Sequence, residues 1–354
     1  MRAFACTVCG RLVPFEAVRC LHCGAELGFE PGRRSIVGMR PDPAGGGLVA
    51  VVPEDPDPRY RRCAGFAQVG CNWLVERAGE LCRSCRLTRT RPADDDAEGV
   101  EQWAGVEAAK RRLVFQLLEL GIPIREGEHG LRFDLLSSAH EHVVTGHADG
   151  LVTLDLAEED DAHREALRER LSEPYRTVLG HLRHEVGHHL WDVLVRDGPA
   201  ELLEGSRERF GDEREDYGEA LDRHYRDGAP DDWPERHVSA YATMHPAEDW
   251  AETFAHYLHV WDTLQTAEAF RVGVAGPLDV HEAVPLDAGT IRAPRLGALG
   301  EALEQWLPLT YALNALNRSM GSPDLYPFVL APAVMEKLVF VDRAVLASSV
   351  HAGG

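Results

Sequence analysis

His184-Glu185-Val186-Gly187-His188 decides how the rest of the chain is read. On a helix, positions i and i+4 share a face, so both imidazoles can bind one metal ion while Glu185 reaches a water on that ion. Leu182, Val186, Leu190, Val193 and Leu194 supply the apolar face of such a helix, and Pro174 suits its first turn. Surface histidines on an acidic helix are the bland alternative. A catalytic zinc site needs a third protein ligand and one open position. The extended motif that continues with Gly at 191 and His at 194 is excluded, because the chain has Trp191 and Leu194 there.

A third ligand is available in Tyr241-Ala242-Thr243-Met244-His245-Pro246-Ala247-Glu248-Asp249-Trp250-Ala251-Glu252. Glu248 and Glu252 are again i and i+4, so one can bind the metal while the other hydrogen-bonds a ligating histidine. Tyr241, ahead of the proline-started helix, can turn its hydroxyl towards a developing oxyanion. His181, His256 and His259 lie near the same faces, where histidines more often cap carbonyls or pack than ligate. Trp191, Trp250 and Trp261 are expected in the core.

All eight cysteines lie in the first quarter of the chain. Cys6-x-x-Cys9 and Cys20-x-x-Cys23, each followed by glycine, place four thiolates about one tetrahedral zinc. Cys63, Cys71, Cys82 and Cys85 form a second quartet; a redox pair at Cys82-Arg83-Ser84-Cys85 is its alternative, unsupported by any strand-helix alternation. Three Zn2+ ions are therefore expected, one catalytic and two structural.

The net charge of -21 argues against nonspecific binding to nucleic acid or anionic lipid. Residues 1 to 92 carry +5 and the remainder -26, so only the first quarter could touch nucleic acid. Two zinc-tetrathiolate centres would remove most of that positive balance. No apolar run approaches the ~20 residues that span a bilayer, and the N-terminus has no signal-peptide core, so a cytoplasmic address is expected.

The organisation follows. Residues 1–30 are expected as a first four-cysteine zinc module, 31–59 as a Gly/Pro-rich connector marked by Pro41-Asp42-Pro43-Ala44-Gly45-Gly46-Gly47, 60–91 as a second four-cysteine zinc module and 92–354 as the catalytic domain. Apolar periodicity predicts helices over about 103–120, 174–195, 212–225, 246–267, 296–317 and 331–346. Extended segments are predicted over 131–136 and 151–156, the second as an edge strand onto which an extended peptide could add.

The segment around Tyr241 resembles the gluzincin-type second helix of anthrax lethal factor and the Pro-Pro endopeptidases, where Tyr, Glu seven later and Glu four later recur. That resemblance implies Tyr241 as oxyanion donor, Glu248 as zinc ligand beside His184 and His188, and Glu252 as the carboxylate behind a histidine. Over nearly its whole length the chain is similar to bacterial zinc-binding metallopeptidases with an N-terminal zinc-ribbon region. Cys63 to Leu74 with Cys82 to Cys85, Glu173-Pro174-Tyr175-Arg176, Phe210-Gly211-Asp212-Glu213 with Asp216-Tyr217, Ser239 to Thr263, Leu313 to Met320 and Tyr326-Pro327-Phe328 carry it. His189-Leu190 departs from it, where an aromatic pair is expected. The expectation is an α+β chain: a mainly helical zincin-like domain with a small β-sheet, preceded by two zinc-ribbon-like modules. Its function is expected to be peptide-bond hydrolysis with Glu185 as general base and a peptide or protein as substrate. A zinc-ribbon adaptor for protein or nucleic acid, on a non-catalytic scaffold, is the alternative.

Overall fold

The computed structural model describes residues 2–42, 45, 47–51, 60–139, 143–160, 177–276 and 287–351. Glu173-Pro174-Tyr175-Arg176 and Pro43, Ala44 and Gly46 lie outside the described residues.

Each Cys-x-x-Cys turn of the first module closes on a glycine because the chain must enter the left-handed region there. Gly10 has φ 73° and Gly24 φ 72°, and each donates its N–H to the carbonyl of the first cysteine of its pair at 2.8 Å. The Gly/Pro-rich stretch then contributes to a three-stranded antiparallel sheet of Glu26–Glu30, Ser35–Pro41 and Leu48–Ala50, which the loop signal does not announce. The second quartet is framed by the strand pair Arg61–Arg62 and Leu74–Val75 and by a helical turn, Arg83–Arg86, capped by the Cys82 sulfur.

The first long helix, α1 (Ala97–Glu119), starts where Asp96 accepts the Gly99 N–H at 2.9 Å. Its Phe115 packs with Phe4, Phe15 and Phe29 at ring-centroid distances of 5.9, 5.1 and 5.6 Å, and Trp73 lies 4.9 Å beyond Phe29. Both cysteine modules therefore share one apolar core with the rest of the chain. Lys110 on α1 is fully buried, where Glu107 pairs with it at 2.6 Å and the Thr88 hydroxyl accepts from it.

Four strands, β1 (Thr88–Thr90), β2 (Arg132–Leu136), β3 (Gly146–Ala148) and β4 (Leu151–Asp155), form a sheet ordered β3-β4-β2-β1. Val152 and Leu154 face the core and alternate with half-buried neighbours, as the period-2 pattern predicts. The expected edge position is corrected: β4 is interior, parallel to β2 and antiparallel to β3, and β3 holds the edge. A two-residue turn, Asp149 (φ 48°) and Gly150 (φ 77°), makes this hairpin, and a Cβ at Gly150 would meet the Gly130 carbonyl oxygen at 2.5 Å.

Helices α2 (Val178–Trp191), α3 (Ala200–Phe210), α4 (Tyr217–Asp227), α5 (Pro246–Ala269), α6 (Leu299–Ser319) and α7 (Pro332–His351) complete the domain. A π-helical turn, Asp192–Arg196, ends α2. Helix α3 has no counterpart among the predicted helices, since it buries only Ser206 and Phe210. Helix α4 begins five residues later than its periodicity predicts, because Arg207 and Arg214 hold Glu213 and Asp212 in the preceding turn and Asp216 caps the helix. Trp250 and Trp261 are core residues, and Trp191 is half-buried. Among the described residues no helix is long and apolar enough to cross a membrane.

Because Phe115 is buried among rings of the N-terminal modules, Phe115→Ala should cost about 3–5 kcal/mol. Urea unfolding should show one shifted transition, coincident by tryptophan fluorescence and far-UV circular dichroism. Two separated transitions would show that the modules fold independently of α1.

Candidate metal centre

Helix α2 starts at Thr177, whose hydroxyl accepts the Gly180 N–H at 3.0 Å, and this fixes the face on which His184 and His188 emerge. Opposite runs α5, begun by Pro246 with His245 as cap. The two helices touch closely: a Cβ on Gly187 would lie 3.1 Å from Ala251 Cα, and Trp250 Nε1 donates to the Gly187 carbonyl at 2.9 Å. The middle of the His-Glu-x-x-His motif is thus a contact point that requires a small residue.

That approach brings Glu248 onto the two histidines. His184 Nε2 lies 3.2 Å from His188 Nε2 and 3.0 Å from Glu248 Oε2, and His188 Nε2 lies 3.4 Å from Glu248 Oε1. Nitrogen and oxygen ligands at about 2.0–2.1 Å from a tetrahedral zinc are separated by roughly 3.4 Å, so this group could hold the ion with little adjustment. The cysteine quartets pass the same test. Cys6–Cys23, Cys9–Cys20 and Cys71–Cys82 sulfurs are 3.8, 3.7 and 3.7 Å apart, against an edge of about 3.8 Å for Zn–S bonds of about 2.3 Å.

Glu252 sits one turn behind Glu248. Its Oε1 is 2.7 Å from His184 Nδ1 and its Oε2 accepts the Ser239 hydroxyl at 2.7 Å, so the far nitrogen of His184 is oriented and Nε2 is left for a metal. Asp249 is turned away, to Lys337 Nζ at 2.5 Å. Glu185 is steadied by His181 Nε2 at 3.1 Å, whose Nδ1 lies 2.6 Å from Glu158. Thr145 donates its hydroxyl to the other Glu158 oxygen at 2.8 Å. The Tyr241 ring stands 6.1 Å from that of His184.

The charges follow from these contacts. Burial disfavours a proton on His184, but Glu248 and Glu252 outweigh it and hold the imidazole well above its ordinary value. Burial also opposes ionisation of Glu248, which the imidazoles of His188 and His184 reverse, keeping its carboxyl well below the usual range. Glu252, despite burial, is lowered to about 2 by His184. His181, also buried, is raised to about 9 by Glu158 and Glu185.

The remaining histidines divide. His256 Nδ1 meets the Tyr326 hydroxyl at 2.7 Å and His259 Nδ1 meets Arg183 at 2.6 Å, so neither joins the metal group. His189 is outside the group of possible ligands, its ring 5.9 Å from that of His147. His147, on the edge strand, stacks on His188 at 6.2 Å, and Tyr217 donates to Glu248 Oε1 at 2.9 Å. Nothing in local spacing points to either; for Tyr217 the one sequence signal is its place in the Asp216-Tyr217 stretch.

The family described as "Putative zinc-binding metallo-peptidase" matches residues 99–344, and a zinc-ribbon domain matches residues 3–96. The chain belongs to this metallopeptidase family. Uncharacterized proteins of Mycobacterium tuberculosis and Mycobacterium bovis are 46% identical to it over 353 residues, 98% of this chain and 95% of theirs. No solved structure matches it.

Buried His256 has its pKa pressed down to about 4 by burial, so the fold keeps it neutral where the unfolded chain would protonate it. The unfolded state then binds more protons between about pH 6.5 and 4, and stability falls as pH drops through that window. Between pH 6.5 and 5, where one such imidazole contributes ~1.5 kcal/mol, His256→Gln should lose that much less stability than the parent. Parallel urea titrations of the two proteins measure the gap, and equal slopes would show that His256 is not held neutral.

Proposed function

We propose that this member of the zinc-binding metallopeptidase family hydrolyses peptide bonds at a zinc held by His184, His188 and Glu248, in the gluzincin manner. The observation that carries this reading is the spacing of the three ligand atoms beside an ordered carboxylate, Glu185, on the helix that carries both histidines. Zinc in that site supplies Lewis acidity towards water and a peptide carbonyl.

The chain's own groups do the rest. Glu185 accepts a proton from water and passes it to the leaving amine. His181, tied to Glu158, holds the Glu185 carboxylate so that one oxygen is oriented. Glu252 and Ser239 fix the His184 ring. Tyr241 offers its hydroxyl to the carbonyl oxygen as charge develops there. An extended substrate would add to β3, the open edge, beside His147 and His188. The two cysteine quartets each take a structural zinc.

Purified protein should contain three Zn2+ per chain, with the thiolate sites resisting mild chelation; one ion per chain would remove both cysteine sites. Casein or peptide-library cleavage should stop on chelation and return with zinc. Glu185→Gln should retain metal and lower turnover by roughly 10^2 to 10^4, and Tyr241→Phe by about 10^2. Parental turnover in Glu185→Gln would sink the mechanism and leave the adaptor function standing. Glu248→Ala should empty the catalytic site at micromolar free zinc, whereas Glu252→Ala should weaken affinity only about 10- to 100-fold. The opposite order in a chelator titration would exchange the two roles.

A further inference from the structure

Glu248 has two carboxylate oxygens in different circumstances. Oε1 accepts the Tyr217 hydroxyl at 2.9 Å and lies 3.4 Å from His188 Nε2. Oε2 is buried, has no hydrogen-bond partner among the described residues, and lies 3.0 Å from His184 Nε2. Buried carboxylate oxygens are rarely left unsatisfied, and one set 3.0 Å from an imidazole nitrogen is placed for a cation. From this asymmetry, and resting on the zinc site argued above, we infer that Tyr217 is a positioning residue that holds Glu248 as a one-oxygen ligand through Oε2.

The chain takes trouble to put that phenol there. Tyr217 is the first residue of α4, whose start is set by Asp216 accepting the Glu219 N–H at 2.8 Å. Gly211, at φ 101°, turns the chain back over α5, and a Cβ there would meet Pro246 Cγ at 3.0 Å. His245 then joins the two helix starts: its Nδ1 accepts the Ala247 N–H at 3.0 Å and its Nε2 donates to the Glu215 carbonyl at 3.1 Å. The Tyr217 ring rests on His245 at 5.3 Å. The residue is 44% exposed although its hydroxyl points inward, so its ring walls the open side of the site.

A carboxylate with one oxygen engaged by a phenol is held back from gripping a metal with both. The coordination number of a metal held there would thereby be kept low, with a position open for the reacting oxygen. A phenol has one proton to give, and with that proton committed to Glu248 the Tyr217 oxygen can only accept. Tyr241, which interacts with it, is then the donor of that contact and gives its hydroxyl proton to Tyr217 until a substrate oxygen takes the place of Tyr217. Tyr217 acts on the ligand and not on the substrate.

The test uses full-length Tyr217→Phe, which keeps the ring and its packing on His245, with exposed Tyr311→Phe as control. Zinc competition with a chelator should show the catalytic site weakened roughly 10- to 100-fold, while both cysteine sites stay filled. Cobalt placed in the His/His/Glu site should give weaker visible d–d bands in the variant, as Glu248 turns two-oxygen and coordination rises above four. Parental zinc affinity and a parental cobalt spectrum in Tyr217→Phe would overturn the inference while leaving the zinc site intact. Failure of the parent protein itself to take zinc or cobalt there would overturn both.

Discussion

The close contact of α2 with α5 governs what the rest of the molecule can do. Two α-helices with ordinary side chains at their crossing keep their axes about 8–10 Å apart, whereas Gly187 opposite Ala251 lets backbone approach backbone. At that separation Glu248 Oε2 reaches His184 Nε2 at 3.0 Å, and Glu252 reaches the far side of the same ring. The Trp250 N–H to the Gly187 carbonyl fixes the register, so that one carboxylate faces the imidazole edge and the next lies behind it. A shift of one helical turn, about 5.4 Å, would exchange the two glutamates.

The contact concentrates charge where water is scarce. Glu158, Glu185 and Glu248 are buried, alongside His184. A buried carboxylate is costly unless it is paired and hydrogen-bonded. Each has a partner here: Thr145 and His181 for Glu158, His181 for Glu185, Tyr217 and the imidazoles for Glu248. Without a metal, protons on His184 and His181 offset the negative charge, as the raised pKa values of both rings express. A divalent cation bound there would replace the His184 proton, so its binding would be coupled to proton release.

Much of this is legible in the sequence, because the decisive signals are local. The i, i+4 pairs His184/His188 and Glu248/Glu252 need only a helix to bring them onto one face, and Pro246 marks where the second helix begins. The Cys-x-x-Cys-Gly turns carry their own backbone geometry. What cannot be read depends on contacts between distant segments. Tyr217 lies 31 residues from Glu248 and has no periodic relation to it. His147 is an ordinary histidine until a short strand, Gly146–Ala148, pairs outside β4 and carries it to His188. That strand also explains why the sequence pattern puts β4 at the edge: three residues give too little alternation to register as a strand.

The Gly/Pro-rich stretch teaches the complementary lesson about the N-terminal modules. Its composition suggests a flexible tether, yet Ser35–Pro41 pairs along Glu26–Glu30, and Phe29 on the latter strand inserts between Phe115 and Trp73. Phe115 is followed on α1 by Gln116, whose amide donates to the Leu258 carbonyl of α5 and accepts from Arg183 of α2. A continuous packed path therefore runs from the cysteine turns to the two helices of the metal centre. Modules built to roam in search of substrate would present a separable core. These instead complete the apolar face of α1, so a thiolate-bound zinc, by holding Phe4 and Phe15 in place, would brace the same helix against which the His184 helix is seated.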